Sequence, residues 1–184
     1  MIQLETVVIS ANKNETNRLE APIVVHVMTP KLFENTNSVC LAQGLSFQPG
    51  LRVETNCQNC GFQQVRINGL DGPYTQLLLD GKALFSSLNG VYGIEQIPTG
   101  MIERVEVMRG GGSALYGANA IGGTVNIITK EPLNNLFMIS HNLTAIGNSA
   151  YDNTTSLNTS LVNSQRDAGI YLFGTSRHRQ HYDN

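Results

Sequence analysis

The chain has 184 residues, of which 41% are hydrophobic and only 14% are charged, and its formal net charge is -2. This composition is sufficient for one domain with a buried core and an appended segment. It argues against a nucleic-acid-binding protein, because the neutralisation of phosphates requires clustered Lys and Arg. No stretch has the uninterrupted apolar length of a membrane-spanning helix.

The N-terminal residues 5–11 (ETVVISA) are extended in character and rich in β-branched side chains, and the polar residues 12–17 follow them. The pattern predicts a short strand or tail followed by a linker. An ordinary edge strand of the folded domain is the alternative interpretation.

The next elements are short and of mixed type. Residues 23–28 predict a first core strand, and residues 36–47 predict a helix stopped by Pro49 and Gly50. Further strands are predicted at 51–55, 64–67 and 77–79, the last of them turning at Asp80 and Gly81, and a helical turn at 94–97. Because most connections are too short for full crossover helices, the sequence predicts an α+β domain with a small mixed sheet.

Residues 101–130 (MIERVEVMRGGGSALYGANAIGGTVNIITK) contain two strand-like stretches joined through glycine-rich sequence. Val105 and Val107 alternate with polar residues, which is typical of a half-buried strand. Ser113 is placed to cap a short helical turn over residues 114–117. Val125 then begins a second β-branched stretch.

After residue 132 the composition changes, and Asn, Ser and Thr dominate. Three weakly alternating stretches follow, at residues 136–146, 155–162 and 168–175. Each is close to the length of about 9–11 residues that a transmembrane β-strand needs.

Catalytic, metal and cofactor motifs are weak or missing. The glycine run after Arg109 lacks the lysine of a phosphate-binding loop, and Glu103 and Glu106 alternate with arginines as in an ion-paired edge. We therefore predict that the chain is not an enzyme and has neither a cofactor nor a metal site. For Cys57 and Cys60 we expect a disulfide in an oxidising location, with Cys40 left free. Half of a zinc site, a redox motif or two reduced thiols are the alternatives.

The block at 101–130 resembles the C-terminal signature of the plug domain in TonB-dependent outer-membrane receptors. The segments EAPIVVHVMTP (20–30), LAQGLSFQPGLRVE (41–54), QVRINGL (64–70) and QLLLDGKALF (76–85) follow the order and approximate spacing of that family. The resemblance covers roughly residues 5–130. Two departures are the irregular helix sequence VCLAQGL at 39–45 and Lys82 after the Asp80-Gly81 turn.

This resemblance implies three parts: a TonB-box-like segment and linker at 1–19, a plug domain at 20–132, and incomplete N-terminal strands of a transmembrane β-barrel at 133–184. It also implies a bacterial outer-membrane location and a role as the gate for active uptake of a bulky nutrient. That nutrient is a ferric siderophore, haem, cobalamin or glycan. A secreted carbohydrate- or protein-binding module is the alternative, and a continuing series of alternating strands after Asn184 would exclude it.

The resemblance further assigns roles to residues. The TonB C-terminal domain is expected to capture the first segment as an added strand, through Glu5, Thr6, Val7, Val8, Ile9, Ser10 and Ala11. The extracellular ligand is expected to contact the apical loops through Gln58, Asn59, Phe62, Phe85, Ser86, Ser87, Asn89 and Tyr92.

Arg66 and Arg109 match arginines that lock the plug to acidic residues of the barrel wall in this family. Without those wall residues, we expect both to be exposed or paired with Glu103, Glu106 or Asp80. We also expect the strands after Pro132 to lack native structure in this chain. Disorder, packing back onto the plug and exchange with a second chain are the options.

Overall fold

The computed structural model describes residues 8–9, 16–17, 24–57, 62–84, 93–110, 113–146 and 150–180. The strands in these ranges are β1 Val8–Ile9, β2 Thr16–Asn17, β3 Val25–Met28, β4 Leu51–Cys57, β5 Phe62–Ile67, β6 Thr75–Leu79, β7 Lys82–Ala83, β8 Ile102–Arg109, β9 Gly123–Thr129, β10 Leu136–Ile146, β11 Ala150–Val162 and β12 Gly169–Arg179. The α-helices are α1 Pro30–Asn35, α2 Leu41–Leu45 and α3 Ser113–Tyr116. Short 3₁₀ turns occur at Gly72–Tyr74, Ile94–Gln96, Thr99–Met101 and Ala118–Ala120.

A five-stranded mixed sheet forms the centre of the molecule, with strand order β3-β8-β9-β6-β7. The pairing of β6 with β9 is parallel, and the other pairings in this sheet are antiparallel. The hairpin of β4 and β5 forms a separate two-stranded sheet. The predicted α+β class with a small mixed sheet is therefore confirmed. We call residues 24–130 the core domain.

The hydrophobic core lies on one face of the central sheet, because alternate residues of β8 and β9 point the same way. Val105 and Val107 on β8 pair with Ile127 and Val125 on β9, and all four are fully buried. The helices α1 and α2 cover this face with buried side chains, of which Phe33, Leu41 and Leu45 belong to the same cluster. Burial of each such side chain contributes roughly 1.5–3 kcal/mol to stability.

The helix predicted over residues 36–47 is wrong in its first half. The chain forms α1 earlier, with Pro30 in its first turn, where proline is favoured because its missing N–H needs no partner there. Asn37 then adopts a positive φ of 53°, which interrupts the helical path before α2 begins at Leu41. Similarly, α3 begins at Ser113 itself, so this residue is the first of the helix rather than its cap.

The strand predictions are confirmed, and so is the turn at Asp80 and Gly81. Both turn residues have positive φ, 48° and 76°, as a two-residue β-hairpin requires. The Asp80 carboxylate accepts hydrogen bonds from the backbone N–H and the hydroxyl of Thr129, both at 2.9 Å. This turn therefore connects the edge of the sheet to the end of β9.

The strands after Pro132 are ordered, so the expectation that they lack native structure is wrong. They form an antiparallel sheet of order β10-β11-β12, with eleven paired positions in each of the two pairings. We call this element the three-stranded sheet. It packs back on the core domain, which was one of the three options, and gains hydrogen-bond partners there.

Within the described residues, no α-helix has the length and apolar character needed to cross a bilayer.

Candidate functional site

The N-terminal strand β1 forms a small hairpin with β2. Val8 pairs with Asn17 and Ile9 pairs with Thr16, so residues that we predicted to be linker belong to a strand. A two-stranded pairing of this size has little stability of its own in water, which leaves β1 easy to detach. The other predicted TonB-binding residues lie outside the described residues: Glu5, Thr6, Val7, Ser10 and Ala11.

Most predicted ligand contacts also lie outside the described residues, namely Gln58, Asn59, Phe85, Ser86, Ser87, Asn89 and Tyr92. Phe62 is the first residue of β5 and pairs with Cys57, the last residue of β4, across a register shift. These two residues therefore flank the predicted loop. Cys60 lies outside the described residues, so the disulfide from Cys57 stays a prediction.

Cys40 is a free, buried thiol immediately before α2. Burial raises its pKa above the usual value, because the thiolate would lose its hydration, while hydrogen bonding to the backbone of Gln43 acts in the opposite direction. This thiol is therefore kept in its neutral form at physiological pH. In the part of the chain that the structure describes, no group of three or more His, Cys, Asp or Glu side chains is placed to hold a metal ion.

Arg66 on β5 ties the hairpin to the segment that follows it. Its Nη1 donates to Glu54 Oε1 on β4 at 3.0 Å, and its Nη2 donates to the Asp71 carboxylate. The Nε of Arg52 also contacts Glu54, at 3.2 Å. The arginine is thus held locally by charge-assisted hydrogen bonds, which are stronger than neutral ones.

Arg109 at the end of β8 reaches back to the turn before β4. Its Nη2 donates to the carbonyl oxygen of Pro49. Gly50 has a φ of 79°, and a Cβ there would lie 2.9 Å from Arg109 Cζ, so both the backbone and the packing favour glycine. The Nε atoms of Arg66 and Arg109 are buried without a hydrogen-bond partner in the described part of the chain, so each arginine retains an unused donor.

The local partners that we predicted for these two arginines are wrong. Glu106 accepts a hydrogen bond from Arg104 Nε at 2.8 Å instead, and it is almost fully buried. Asp80 is engaged with Thr129. The hairpin of β4 and β5 packs on the central sheet through Val65 and Ile67 without pairing with it, and it supplies its own carboxylate at Glu54.

The three-stranded sheet contacts the core domain through polar groups. Asn142 Nδ2 on β10 donates to Asn37 Oδ1 at 2.7 Å, and the Tyr171 hydroxyl on β12 donates to the carbonyl oxygen of Gly100 at 3.0 Å. A Cβ at Gly100 would lie 2.8 Å from the Asn158 side chain, so the two surfaces approach closely.

The two faces of this sheet differ in polarity. On β11, Asp152, Thr154 and Asn158 are buried, whereas Tyr151 and Leu157 alternate with them and are exposed. The register places further exposed apolar side chains on the outer face, namely Phe137, Ile139, Leu143, Leu161, Ile170 and Leu172. The inner face is therefore mostly polar, although Leu136, Met138 and Phe173 also lie on it, and the outer face is largely apolar.

A charged cluster on the inner face was not found from the sequence. Arg177 Nε lies 3.0 and 3.1 Å from the two Asp152 carboxylate oxygens, and Arg179 Nε lies 3.1 Å from Oδ2. The sequence does indicate that Arg177 and Arg179 share a face of the strand, because they are two residues apart. Pairing with Asp152 depends on strand register, which the sequence does not show directly.

Residues 17–124 match the profile of the TonB-dependent Receptor Plug Domain family. The vitamin B12 transporter BtuB of Vibrio vulnificus is 35% identical over 127 residues, which are 69% of this chain and 21% of that transporter. The chain therefore spans about a fifth of the length of this relative.

Solved structures show the same fold. The siderophore receptor PirA from Acinetobacter baumannii aligns with a TM-score of 0.66 at 24% identity, over 84% of this chain and 24% of that receptor. The ferripyoverdine receptor of the outer membrane of Pseudomonas aeruginosa aligns with a TM-score of 0.69 at 18% identity, over 93% and 22% of the two chains. The latter alignment extends well beyond the core domain, so it includes part of the three-stranded sheet.

Proposed function

Because the chain belongs to the family of TonB-dependent receptor plug domains, we propose that it forms the gate of an outer-membrane receptor that takes up a bulky nutrient. In this proposal residues 1–19 carry the TonB-binding segment, 20–132 form the plug, and 133–184 begin the wall of the barrel. The chain acts by binding and gating and catalyses no reaction.

The observation that carries the proposal is the polarity of the three-stranded sheet. Its mostly polar inner face contacts the core domain, and its largely apolar outer face is exposed. Transmembrane barrels alternate in this way, with apolar side chains toward lipid and polar side chains toward the lumen. A globular domain packed against such an inner face is placed to occlude a lumen wide enough for a nutrient.

Arg66 and Arg109 complete the proposed gate by tying it to acidic residues elsewhere on the barrel wall. Their present partners belong to the core domain, and the hydrogen bonds described above use only part of the five N–H donors of each guanidinium. A planar guanidinium with several donors can bind a second acceptor while it keeps the first.

Capture of β1 by the TonB C-terminal domain opens the gate in this proposal. Among the described residues, Val8 and Ile9 pair with β2 at two positions, so transfer of the strand to a partner sheet breaks a short pairing. We expect Val8→Pro to abolish crosslinking of the receptor to TonB and nutrient uptake, because proline cannot donate a backbone hydrogen bond.

Val8→Thr, which keeps the N–H and the β-branched shape, is the matched control and should retain both crosslinking and uptake. The core domain begins well after this residue and should fold in both variants. Normal uptake by the Val8→Pro receptor would rule out the assignment of this segment.

For the ligand, the relatives suggest candidates: one is a vitamin B12 transporter and others are siderophore receptors. We propose that the loops carrying Gln58, Asn59, Phe62, Phe85, Ser86, Ser87, Asn89 and Tyr92 contact the ligand. Binding of the complete receptor to a panel of cobalamin, ferric siderophores, haem and glycans tests this. Failure of every compound to bind would contradict the uptake proposal.

A disulfide between Cys57 and Cys60 would stiffen the loop between β4 and β5, which reduces the ordering cost of binding. Alkylation in denaturant without reductant should then modify Cys40 alone, and the denaturant is needed because this thiol is buried. Modification of all three cysteines would exclude the bridge.

A further inference from the structure

A cavity of about 270 Å³ lies between the core domain and the three-stranded sheet, near the turn Ile94–Gln96. Cys40, Glu95 and Pro98 line it from the core side, and Thr154 and Arg177 line it from the strands. Among the described residues that line this cavity, Glu95 is the single carboxylate and Arg177 the single cation. Opposite charges thus face each other across the cavity between the core domain and the three-stranded sheet.

The strand side of the cavity carries an excess of positive charge. The Asp152 carboxylate is shared by the guanidinium groups of Arg177 and Arg179, so two cations have one anion between them. Glu95 lines the same cavity from the core side, opposite Arg177. Its negative charge therefore faces the excess of positive charge on the strand side.

Glu95 also holds the hairpin of the predicted ligand loop. Gln63 Nε2 on β5 donates to Glu95 Oε1 at 2.7 Å. Gln63 is nearly buried, and its own Oε1 has no hydrogen-bond partner in the described part of the chain. Loss of this contact would leave the Nε2 donor of a nearly buried side chain unpaired as well, so the position of Gln63 depends on Glu95.

We propose that Glu95 couples the ligand loop to the barrel wall by bridging Gln63 on β5 and Arg177 on β12. One carboxylate oxygen accepts from Gln63, and the negative charge attracts Arg177 across the cavity. A ligand that displaces β5 then withdraws Glu95 and loosens the core domain from β12. This inference rests on the proposed function, in which the loop binds ligand and β12 belongs to the wall.

Hydrogen exchange of the complete, ligand-free receptor tests the coupling. We expect Arg177→Gln to speed exchange of the β5 amides several-fold, although Arg177 lies on another sheet. Arg179→Gln is the matched control, because Arg179 contacts the same Asp152 carboxylate but does not line the cavity. It should leave the β5 amides unchanged.

Glu95→Gln removes the negative charge but keeps an acceptor for Gln63, because the new amide oxygen can accept the same hydrogen bond. In this background, Arg177→Gln should have no further effect on β5. Equal effects of Arg177→Gln and Arg179→Gln, or an Arg177→Gln effect that persists beside Glu95→Gln, would overturn the coupling.

If the Arg177→Gln receptor does not assemble, Glu95→Gln alone decides, because it alters no strand of the wall. Faster exchange of the β12 amides around Arg177 supports the bridge, and unchanged exchange there overturns it. The experiment uses no ligand and no TonB, so its failure would leave the TonB-crosslinking and ligand-binding tests of the proposed function unaffected.

Discussion

At the scale of single residues, Gly44 leaves no room for a larger side chain between α1 and α2. A Cβ there would lie 2.1 Å from Phe33 Cε1, so any larger side chain displaces a buried ring. Alanine gains about 1 kcal/mol in helix propensity over glycine, but overpacking costs about 1–3 kcal/mol. We expect Gly44→Ala to lower the free energy of unfolding by about 1 kcal/mol.

Urea unfolding measures this change. Gly174→Ala on β12 is the matched control, because a Cβ there meets nothing within 4 Å. It should unfold at an unchanged or slightly higher urea concentration. An equal midpoint for Gly44→Ala and the parent would show that α1 and α2 separate without cost.

Cys40 should make stability depend on alkaline pH. Its pKa is raised in the fold by burial, so the unfolded thiol loses its proton first as the pH rises. The free energy of unfolding should therefore decline above about pH 8.5, the ordinary pKa of a thiol. Below that pH the contribution is fully present. Cys40→Ala should remove this part of the slope, and an unchanged slope would contradict the assignment.

At the scale of elements, the turn between β6 and β7 organises one edge of the central sheet. Asp80→Ala removes two hydrogen bonds to Thr129 and places alanine at a positive φ. Each bond contributes about 1 kcal/mol, so we expect a loss of about 2 kcal/mol. Thermal unfolding checks this, with exposed Lys82→Ala as the control. Equal melting temperatures for the two variants would mean that the turn forms without the Asp80 contacts.

The sequence predicted the strands well because their signal is local: alternation in β8 and β-branched residues in β9 are visible within a few positions. It failed for α1, because one helix was inferred over 36–47 and the reversal at Asn37 left no clear pattern. It also failed for the local partners of Arg66 and for the Asp152 cluster. These contacts join distant segments, so they depend on strand register and packing that no short window contains.

At the scale of the whole molecule, the core domain and the three-stranded sheet meet through polar groups, while most of their apolar groups lie elsewhere. The core domain hides its apolar residues within its own sheet and helices, and it meets the three-stranded sheet through groups such as Asn37 and Gly100. The outer face of that sheet, with Phe137 and Leu172, has the composition that suits lipid. A domain joined to a neighbouring sheet by polar contacts can be displaced without exposing its own core, as the proposed gating requires.

The conductance of planar bilayers containing the complete receptor tests most directly whether this domain closes a pore. With residues 20–132 present, we predict almost no current. With those residues deleted, and with insertion of the protein into the bilayer verified, we predict stable pores of large conductance. An inserted receptor that stays non-conducting after the deletion, or one that conducts equally with and without these residues, would contradict the account.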